Sequence, residues 1–348
     1  MTFDRAFLWL FGLAALVIIL AGFKAISHII TPFLLAAFLA IISAPPLAWM
    51  QRKGVPGPLA MVLLFVGVGL SLFLVFLALK SAAEDLASQA PFYQQRLAEL
   101  FASVQGVLRS SGLPEDMVPQ DFPVPDMGTI TDIARRLAGG IGQFTASLFF
   151  VLLAFMFILL EERTLPGKLN AAFPSNRRAR VRARRFLRSV NRYLVIKTTA
   201  SVATGLIVGI GLLWLGVDFA ILWGILAGLL NFIPTIGSII AAIPAVLIAL
   251  LGLGTVEALV VVVIYAVPNV LIGSVLEPRL MGQTLGLSPV VVLVSLLVWG
   301  WVFGPVGMLL SILLTMIVKL ALESSPHTRW LGILLSDKAK ARADVAVR

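Results

Sequence analysis

Runs of apolar residues about 15 to 23 residues long recur along most of this 348-residue chain. Hydrophobic residues make up 59% of the sequence and the mean hydropathy is +1.02, whereas an average soluble chain is roughly 45–50% apolar. A soluble fold with this composition would lack the polar residues needed to cover its apolar surface. The runs also lack the alternation of membrane β-barrel strands, so the backbone must be satisfied within helices. The composition predicts an all-α polytopic membrane protein.

Six of these runs are long enough to serve as full transmembrane helices. Together with the polar segments between them, they define the predicted domains. The predicted spans are 7–23, 26–50, 59–79, 141–160, 194–215 and 256–275. The predicted domains are transmembrane helices 1–3 (1–80), an extracytoplasmic amphipathic and Pro-rich region (81–139), transmembrane helix 4 (140–160), a cytoplasmic basic amphipathic helix (161–193), a transport core (194–322) and a cytoplasmic tail (323–348).

Two segments of the core, 215–251 and 285–322, look like the same helical hairpin written twice. Each begins with Leu-Gly and an apolar residue, continues as an apolar run, breaks at a Pro/Gly cluster and resumes as a second apolar run. The first arms supply only about 15 residues, whereas a straight span needs about 20. The hairpins are therefore either short spanning pairs or re-entrant, and the re-entrant form makes them an inverted repeat. Paired, Pro/Gly-broken segments of this kind mark the binding site of many transporters.

The net charge of +10 is concentrated in one segment. Eight arginines fall between Arg177 and Arg192, next to predicted spans, which indicates a cytoplasmic segment in contact with anionic lipid rather than nucleic acid. The 81–139 region has four basic and eight acidic residues and is predicted to be outside. This pattern predicts that both termini lie in the cytoplasm.

The two broken turns carry the predicted substrate site, because non-helical backbone at membrane depth survives only where protein or a watery cavity surrounds it. The first turn offers an amide, two hydroxyls and a helix N-terminus, which can hold a small polar ligand or a cation. The alternative is a tight helix connection in which glycine simply allows close packing. The predicted substrate-binding residues are Asn231, Pro234, Thr235, Gly237, Ser238, Asn269, Gly304, Pro305 and Gly307.

Glu277 and Arg279 are the predicted coupling-ion residues, since ionisable side chains within a membrane core are functional candidates. They can pair, Glu277 can carry a proton or bind a cation, or both can simply mark the inner interface before Pro278. Asp218 and Glu257 fit interfacial or capping positions better than ligand positions. The chain has no cysteine, and its two histidines have no metal-ligand spacing. No catalytic or nucleotide-binding motif is present, so we predict no enzyme activity, no metal, no cofactor beyond Na⁺ or H⁺ coupling, and secondary transport.

Four motifs, in this order and spacing, resemble the AI-2E family of autoinducer-2 exporters, or PerM-like permeases, over nearly the whole chain. They are Thr31-Pro-Phe-Leu-Leu-Ala36, Asn231-Phe-Ile-Pro-Thr-Ile-Gly237, Glu277-Pro-Arg-Leu-Met-Gly282 leading to Gly286-Leu-Ser-Pro289, and Trp299-Gly-Trp-Val-Phe-Gly-Pro-Val-Gly307. The resemblance implies a multi-pass inner-membrane homo-oligomer that moves a small solute. Family members are linked to autoinducer-2 export and others to sodium/proton exchange.

The sequence therefore predicts a permease or exporter that moves a small polar metabolite or signal, such as autoinducer-2, by alternating access around the hairpins. A cation/proton antiporter of the same family is the first alternative, and it requires a titrating carboxylate in the core. A non-transporting membrane scaffold that presents the external region or the basic helix to partners is the second.

Overall fold

The computed structural model describes residues 5–110, 147–161, 164, 167, 168, 171, 177–233, 236–281, 287–324 and 328–336. Every secondary-structure element among them is helical, which confirms the predicted fold class. Five described helices are long and apolar enough to cross a membrane: Ser27–Arg52, Gly57–Ser103, Leu187–Leu215, Thr255–Met281 and Pro289–Glu323. The Pro-rich stretch from 111 to 146 and the tail after 336 lie outside the described residues.

The N-terminal helices are α1 (Arg5–Ala25), α2 (Ser27–Arg52) and α3 (Gly57–Ser110). Pro45 and Pro46 lie inside α2, which continues to Arg52. At 1.5 Å per residue the 54 residues of α3 extend for about 80 Å, far beyond a hydrocarbon core of about 30 Å. The predicted third span and the helical pattern after it are thus one continuous helix.

Helix α4 (Ser147–Glu161) follows, and then α5 (Arg177–Leu215). The basic segment was predicted as a separate helix lying along the membrane surface. Its helical character is confirmed, but it and the fifth span form one 39-residue helix. The sequence has no Gly or Pro between the two parts, so nothing in it breaks the helix.

The first hairpin consists of α6 (Ala220–Leu230) and α7 (Ile236–Gly252), and α8 (Thr255–Pro268) follows. The chain then forms a π-helix over Asn269–Leu276 and a short α9 (Glu277–Met281). The switch in helix type falls between Pro268 and Asn269, inside the predicted span 256–275. The second hairpin is α10 (Pro289–Ser324), and α11 (Arg329–Leu334) packs on it.

The chain divides into two compact units, and the boundaries cut α3 and α5. Unit 1 comprises 1–65, 147–197 and 280–348, and in it α10 packs against α1, α2 and α11. Unit 2 comprises 66–146 and 198–279. Its core is apolar and joins residues of α3, α5, α6, α7 and α8, including Tyr93, Val208, Trp223, Ala245 and Val261.

Candidate functional site

The first broken turn is a tight reversal between α6 and α7 in unit 2. A Cβ placed on Gly237 would lie 1.8 Å from the backbone oxygen of Leu230 and 3.1 Å from the Cβ of Ile233. The start of α7 therefore lies directly against the last turn of α6. Because only a residue without a side chain permits this approach, Gly237 is required at this position. Pro234 and Thr235, at the centre of the predicted site, lie outside the described residues.

The second broken turn, in unit 1, reverses the chain in the same way. Gly304 has φ 64° and ψ −146°, which separates α10 into the arms 289–303 and 305–324. A Cβ on Gly307 would lie 1.9 Å from the backbone oxygen of Trp299 and 2.9 Å from the Cβ of Phe303. Trp299 Nε1 also donates to Thr315 Oγ1 at 2.9 Å. In a straight helix Trp299 and Thr315 would be about 24 Å apart, so the arms are antiparallel.

The two turns share one packing relation, which confirms that the matching segments are both helical hairpins. In each, the last glycine of the motif meets a backbone carbonyl of the first arm, and the residue four positions earlier supplies the neighbouring Cβ. That residue is Ile233 in the first hairpin and Phe303 in the second. The α6 arm has 11 residues, about 16 Å of helix, and the 289–303 arm extends for about 22 Å. Both first arms are shorter than the hydrocarbon core of about 30 Å.

Asn231, the first predicted site residue, is buried where α6 ends, and its Nδ2 donates to Ser201 Oγ on α5 at 3.0 Å. A row of glycines holds the two helices together beyond that bond. A Cβ on Gly205 would meet the Gly224 oxygen at 2.8 Å, and one on Gly228 would meet the Ser201 oxygen at 3.1 Å. Such close backbone contact between small residues is a common way to join membrane helices. It fixes Asn231 opposite Ser201.

Ser238 and Asn269, also predicted site residues, are brought together by α7 and the start of the π-helix. Ser238 Oγ donates to Asn269 Oδ1 at 3.0 Å. They lie at one end of a groove of about 530 Å³ between α7 and α8, which Tyr265 and apolar side chains also line. Its volume falls within the usual range for small-molecule sites. π-helical segments are frequently found at functional sites, so this pair marks a candidate polar contact for a solute.

The predicted coupling residues differ in exposure. Glu277 is 9% exposed and starts α9 directly after the π-helix, whereas Arg279 is exposed. Gly304 and Pro305 form the break in α10, as predicted, and they lie in unit 1 with Gly307. The described site residues of the first hairpin, together with Asn269, Glu277 and Arg279, belong to unit 2.

Lys24 lies on α1 and contacts the second turn, and the sequence did not indicate this contact. Its Nζ donates to the backbone oxygen of Trp301 at 2.6 Å and lies 5.8 Å from the centre of the Trp301 ring. In an unbroken helix that oxygen would accept from the amide of residue 305, but Pro305 has no N–H. The ammonium of Lys24 supplies the missing donor. The missing donor at Pro305 was visible in the sequence, but no pattern pointed to Lys24.

Asp218, which was predicted to be an interfacial or capping residue, joins the start of the first hairpin to α3. Tyr93 Oη donates to Asp218 Oδ2 at 2.6 Å, and Trp223 Nε1 donates to the Asp218 backbone oxygen at 3.1 Å. These bonds fix the part of α3 beyond the predicted third span against the first hairpin.

The described residues of the turns offer hydroxyls, amides and backbone oxygens, which bind solutes but do not supply a nucleophile with its base. Among the described residues, no group of three or more His, Asp or Glu side chains is placed to hold a metal ion. The arrangement is suited to recognition of a small polar molecule.

Comparison with known proteins agrees with this geometry. The family model described as "AI-2E family transporter" matches residues 13–327. The AI-2 transport protein TqsA of Escherichia coli (strain K12) is 39% identical over 331 residues, covering 94% of this chain and 95% of the relative. A putative transport protein of Haemophilus influenzae is 39% identical over 340 residues, covering 94% and 96%. The sodium-lithium/proton antiporter of Halobacillus andaensis is 23% identical over 350 residues, covering 92% and 96%.

The match extends over nearly the whole chain and includes both hairpins and the helices that pack on them. The apolar helices make this a multi-pass membrane protein, and its family transports small molecules rather than transforming them. The chain belongs to the AI-2E transporter family and is a permease, not an enzyme.

Proposed function

We propose that this protein is a secondary transporter that moves a small polar metabolite or signal molecule, such as autoinducer-2, across the bacterial inner membrane. The observation that carries the proposal is the shared geometry of the two hairpins, in which Gly237 and Gly307 each pack on a carbonyl of a short first arm. The name of the 39% identical relative TqsA supports autoinducer-2 as the solute.

In the proposed mechanism both hairpins are re-entrant and form an inverted repeat, so that one site opens to alternate sides of the membrane. Asn231, Thr235 and Ser238 bind the solute with Asn269, and the Gly304–Gly307 turn provides the matching element. The supporting observations are the short first arms and the polar pairs Asn231–Ser201 and Ser238–Asn269. Both termini are cytoplasmic in this mechanism, anionic lipids contact Arg177–Arg192, and the protein works as a homo-oligomer.

Coupling to Na⁺ or H⁺ is assigned to Glu277, with Arg279 as its neighbour. Burial of Glu277 directly after the π-helix supports this role, because carboxylates within a membrane core are costly and are kept for function. The name of the Halobacillus andaensis relative favours the second candidate function, sodium(cation)/proton antiport, in which the ion is itself the substrate. The family match favours either form of transport over a non-transporting scaffold.

Transport by protein reconstituted in liposomes tests the proposal. We expect autoinducer-2 to accumulate when an ion gradient is imposed, and Asn231→Ala to lower the rate at least ten-fold. The matched control is Ser71→Ala, which removes a hydroxyl that donates to the Gly67 backbone oxygen of its own helix. Glu277→Gln should allow solute to equilibrate but not to accumulate against its gradient. Sodium-driven proton movement without any autoinducer-2 flux would establish the antiporter instead, and loss of transport in the Ser71 control would remove the argument for Asn231.

A further inference from the structure

Three hydroxyl side chains follow one another on α5, and two of them have no hydrogen-bond partner among the residues that the structure describes. Thr198, Ser201 and Thr204 are spaced three residues apart, so they occupy successive turns on one side of the helix. Ser201 is bonded to Asn231. Thr198 Oγ1 and Thr204 Oγ1 are buried and have no partner within the described part of the chain, and Thr204 is only 5% exposed. Since most buried polar atoms are satisfied, two unpartnered hydroxyls on either side of Ser201 require an explanation.

These hydroxyls lie on the part of α5 that contacts the end of α6, the first arm of the first hairpin. The glycine contacts between α5 and α6 run antiparallel, from Gly209 against Gly224 to Ser201 against Gly228. Ser201 then faces Asn231, where α6 ends. The later residues of the same side of α5, Val208 and Leu212, are fully buried and apolar. From Thr198 onward, this side of α5 is therefore polar beside the end of α6 and apolar beyond it.

We infer that Thr198, Ser201 and Thr204 form, together with Asn231, a binding site for an uncharged solute that carries hydroxyl or carbonyl groups. This inference rests on the proposed function and adds the α5 residues to it. Each hydroxyl can donate and accept, and Asn231 keeps an amide oxygen after donating to Ser201. A bound solute that forms hydrogen bonds with the Thr198 and Thr204 hydroxyls offsets the free-energy cost of burying them.

The charges near this site favour an uncharged solute over a cation. None of the four side chains carries a negative charge, so a cation bound here would gain no ion pair to offset its dehydration.

Labelling of single cysteines tests whether a solute can reach this site. The natural chain has no cysteine, so Thr204→Cys and Val208→Cys each introduce a unique thiol. Val208, one turn later and 0% exposed, is the matched control. We expect a small, neutral, water-soluble thiol reagent to label Thr204→Cys at least ten-fold faster than Val208→Cys, and autoinducer-2 to slow that labelling several-fold.

The outcomes separate this inference from the proposed function. Equal, slow labelling of both cysteines would overturn the inference, while transport that depends on Asn231 would still support the proposed function. Protection of Thr204→Cys from labelling by Na⁺ but not by autoinducer-2 would overturn the inference that the site binds an uncharged solute. Fast labelling of Thr204→Cys in protein that does not transport autoinducer-2 would support an accessible site on α5. It would also show that autoinducer-2 is not the transported solute.

Thr204→Val provides an independent test because valine keeps the shape of threonine and removes only the hydroxyl. An unpartnered hydroxyl contributes no hydrogen bond to folding, so we expect an unchanged or higher thermal midpoint. We expect the KM for autoinducer-2 to rise at least ten-fold, and Thr204→Ser to restore most of the lost affinity. Normal transport by Thr204→Val would contradict the inference. A lower thermal midpoint that Thr204→Ser does not correct would assign the residue a purely structural role.

Discussion

Replacing Gly237 with alanine places a methyl group where the structure has no room for one. The new Cβ would lie 1.8 Å from the Leu230 oxygen, whereas an ordinary van der Waals contact of a Cβ is 3.4–4 Å. The obstacle is backbone, and the same oxygen accepts from the Ile233 amide at 2.9 Å. The two arms must therefore separate by more than about 1 Å, or this hydrogen bond must break.

The expected cost follows from these contacts. Overpacking costs about 1–3 kcal/mol, and a weakened hydrogen bond adds about 0.5–1.5 kcal/mol. Alanine gains about 1 kcal/mol of helix propensity at this second residue of α7. We therefore expect Gly237→Ala to destabilise the protein by about 1–3 kcal/mol. The matched control is Gly252→Ala in the same helix, whose Cβ would meet nothing closer than 3.8 Å and which we expect to be neutral or stabilising.

Thermal unfolding of the purified protein in detergent measures this difference, and transport in liposomes measures its consequence. Gly307→Ala should behave like Gly237→Ala, because its Cβ would lie 1.9 Å from the Trp299 oxygen. Equal thermal midpoints for Gly237→Ala and Gly252→Ala would contradict this prediction. Gly237 could not then lie against the Leu230 backbone oxygen. A large effect at one turn and none at the other would refute their equivalence.

Other contacts give further predictions. Lys24→Met removes the only side-chain donor found on the Trp301 oxygen among the described residues and should destabilise by about 1 kcal/mol; an unchanged thermal midpoint would assign that donor no structural role. Tyr93→Phe removes the hydrogen bond to Asp218 and should cost about 1 kcal/mol and speed proteolysis of α3. If Asp218→Asn adds to its effect instead of matching it, the two side chains do not act as a pair. Ser238→Ala should raise the KM for autoinducer-2 and leave the thermal midpoint within about 1 kcal/mol of wild type; an unchanged KM would remove Ser238 from the site.

The sequence was a good guide wherever local chemistry determines the structure. Continuous apolar runs required helices, and the Pro/Gly clusters at 234–237 and 304–307 placed both reversals. Close contacts between distant residues were not predictable in this way. Lys24 and Trp301 are 277 residues apart, and only packing of α1 against α10 brings them together. The pairing of Ser201 with Asn231 likewise depends on the register of glycine contacts between two helices.

Helix boundaries were the other limit, because a change in polarity along a chain does not by itself end a helix. The basic segment and the fifth span differ greatly in composition, yet α5 runs through both. The third span likewise continues into the polar part of α3, where Tyr93 contacts Asp218. Among the candidate site residues, the turn motifs identified Asn231, Ser238 and Asn269, whereas Thr198 and Thr204 gave no signal because isolated hydroxyls are common in membrane helices.

The central claim is that both broken turns lie at membrane depth and are exposed to alternate sides. Thr235→Cys and Pro305→Cys, which occupy matching positions of the two motifs, can each be labelled from either side of the membrane with a charged thiol reagent. We expect at least one of the two cysteines to be shielded, or its accessible side to change when autoinducer-2 or an ion gradient is present. The opposite result is free labelling of Thr235→Cys from the cytoplasm alone and of Pro305→Cys from outside alone, unaffected by solute. The hairpins would then be ordinary spanning pairs, and alternating access around them would be excluded.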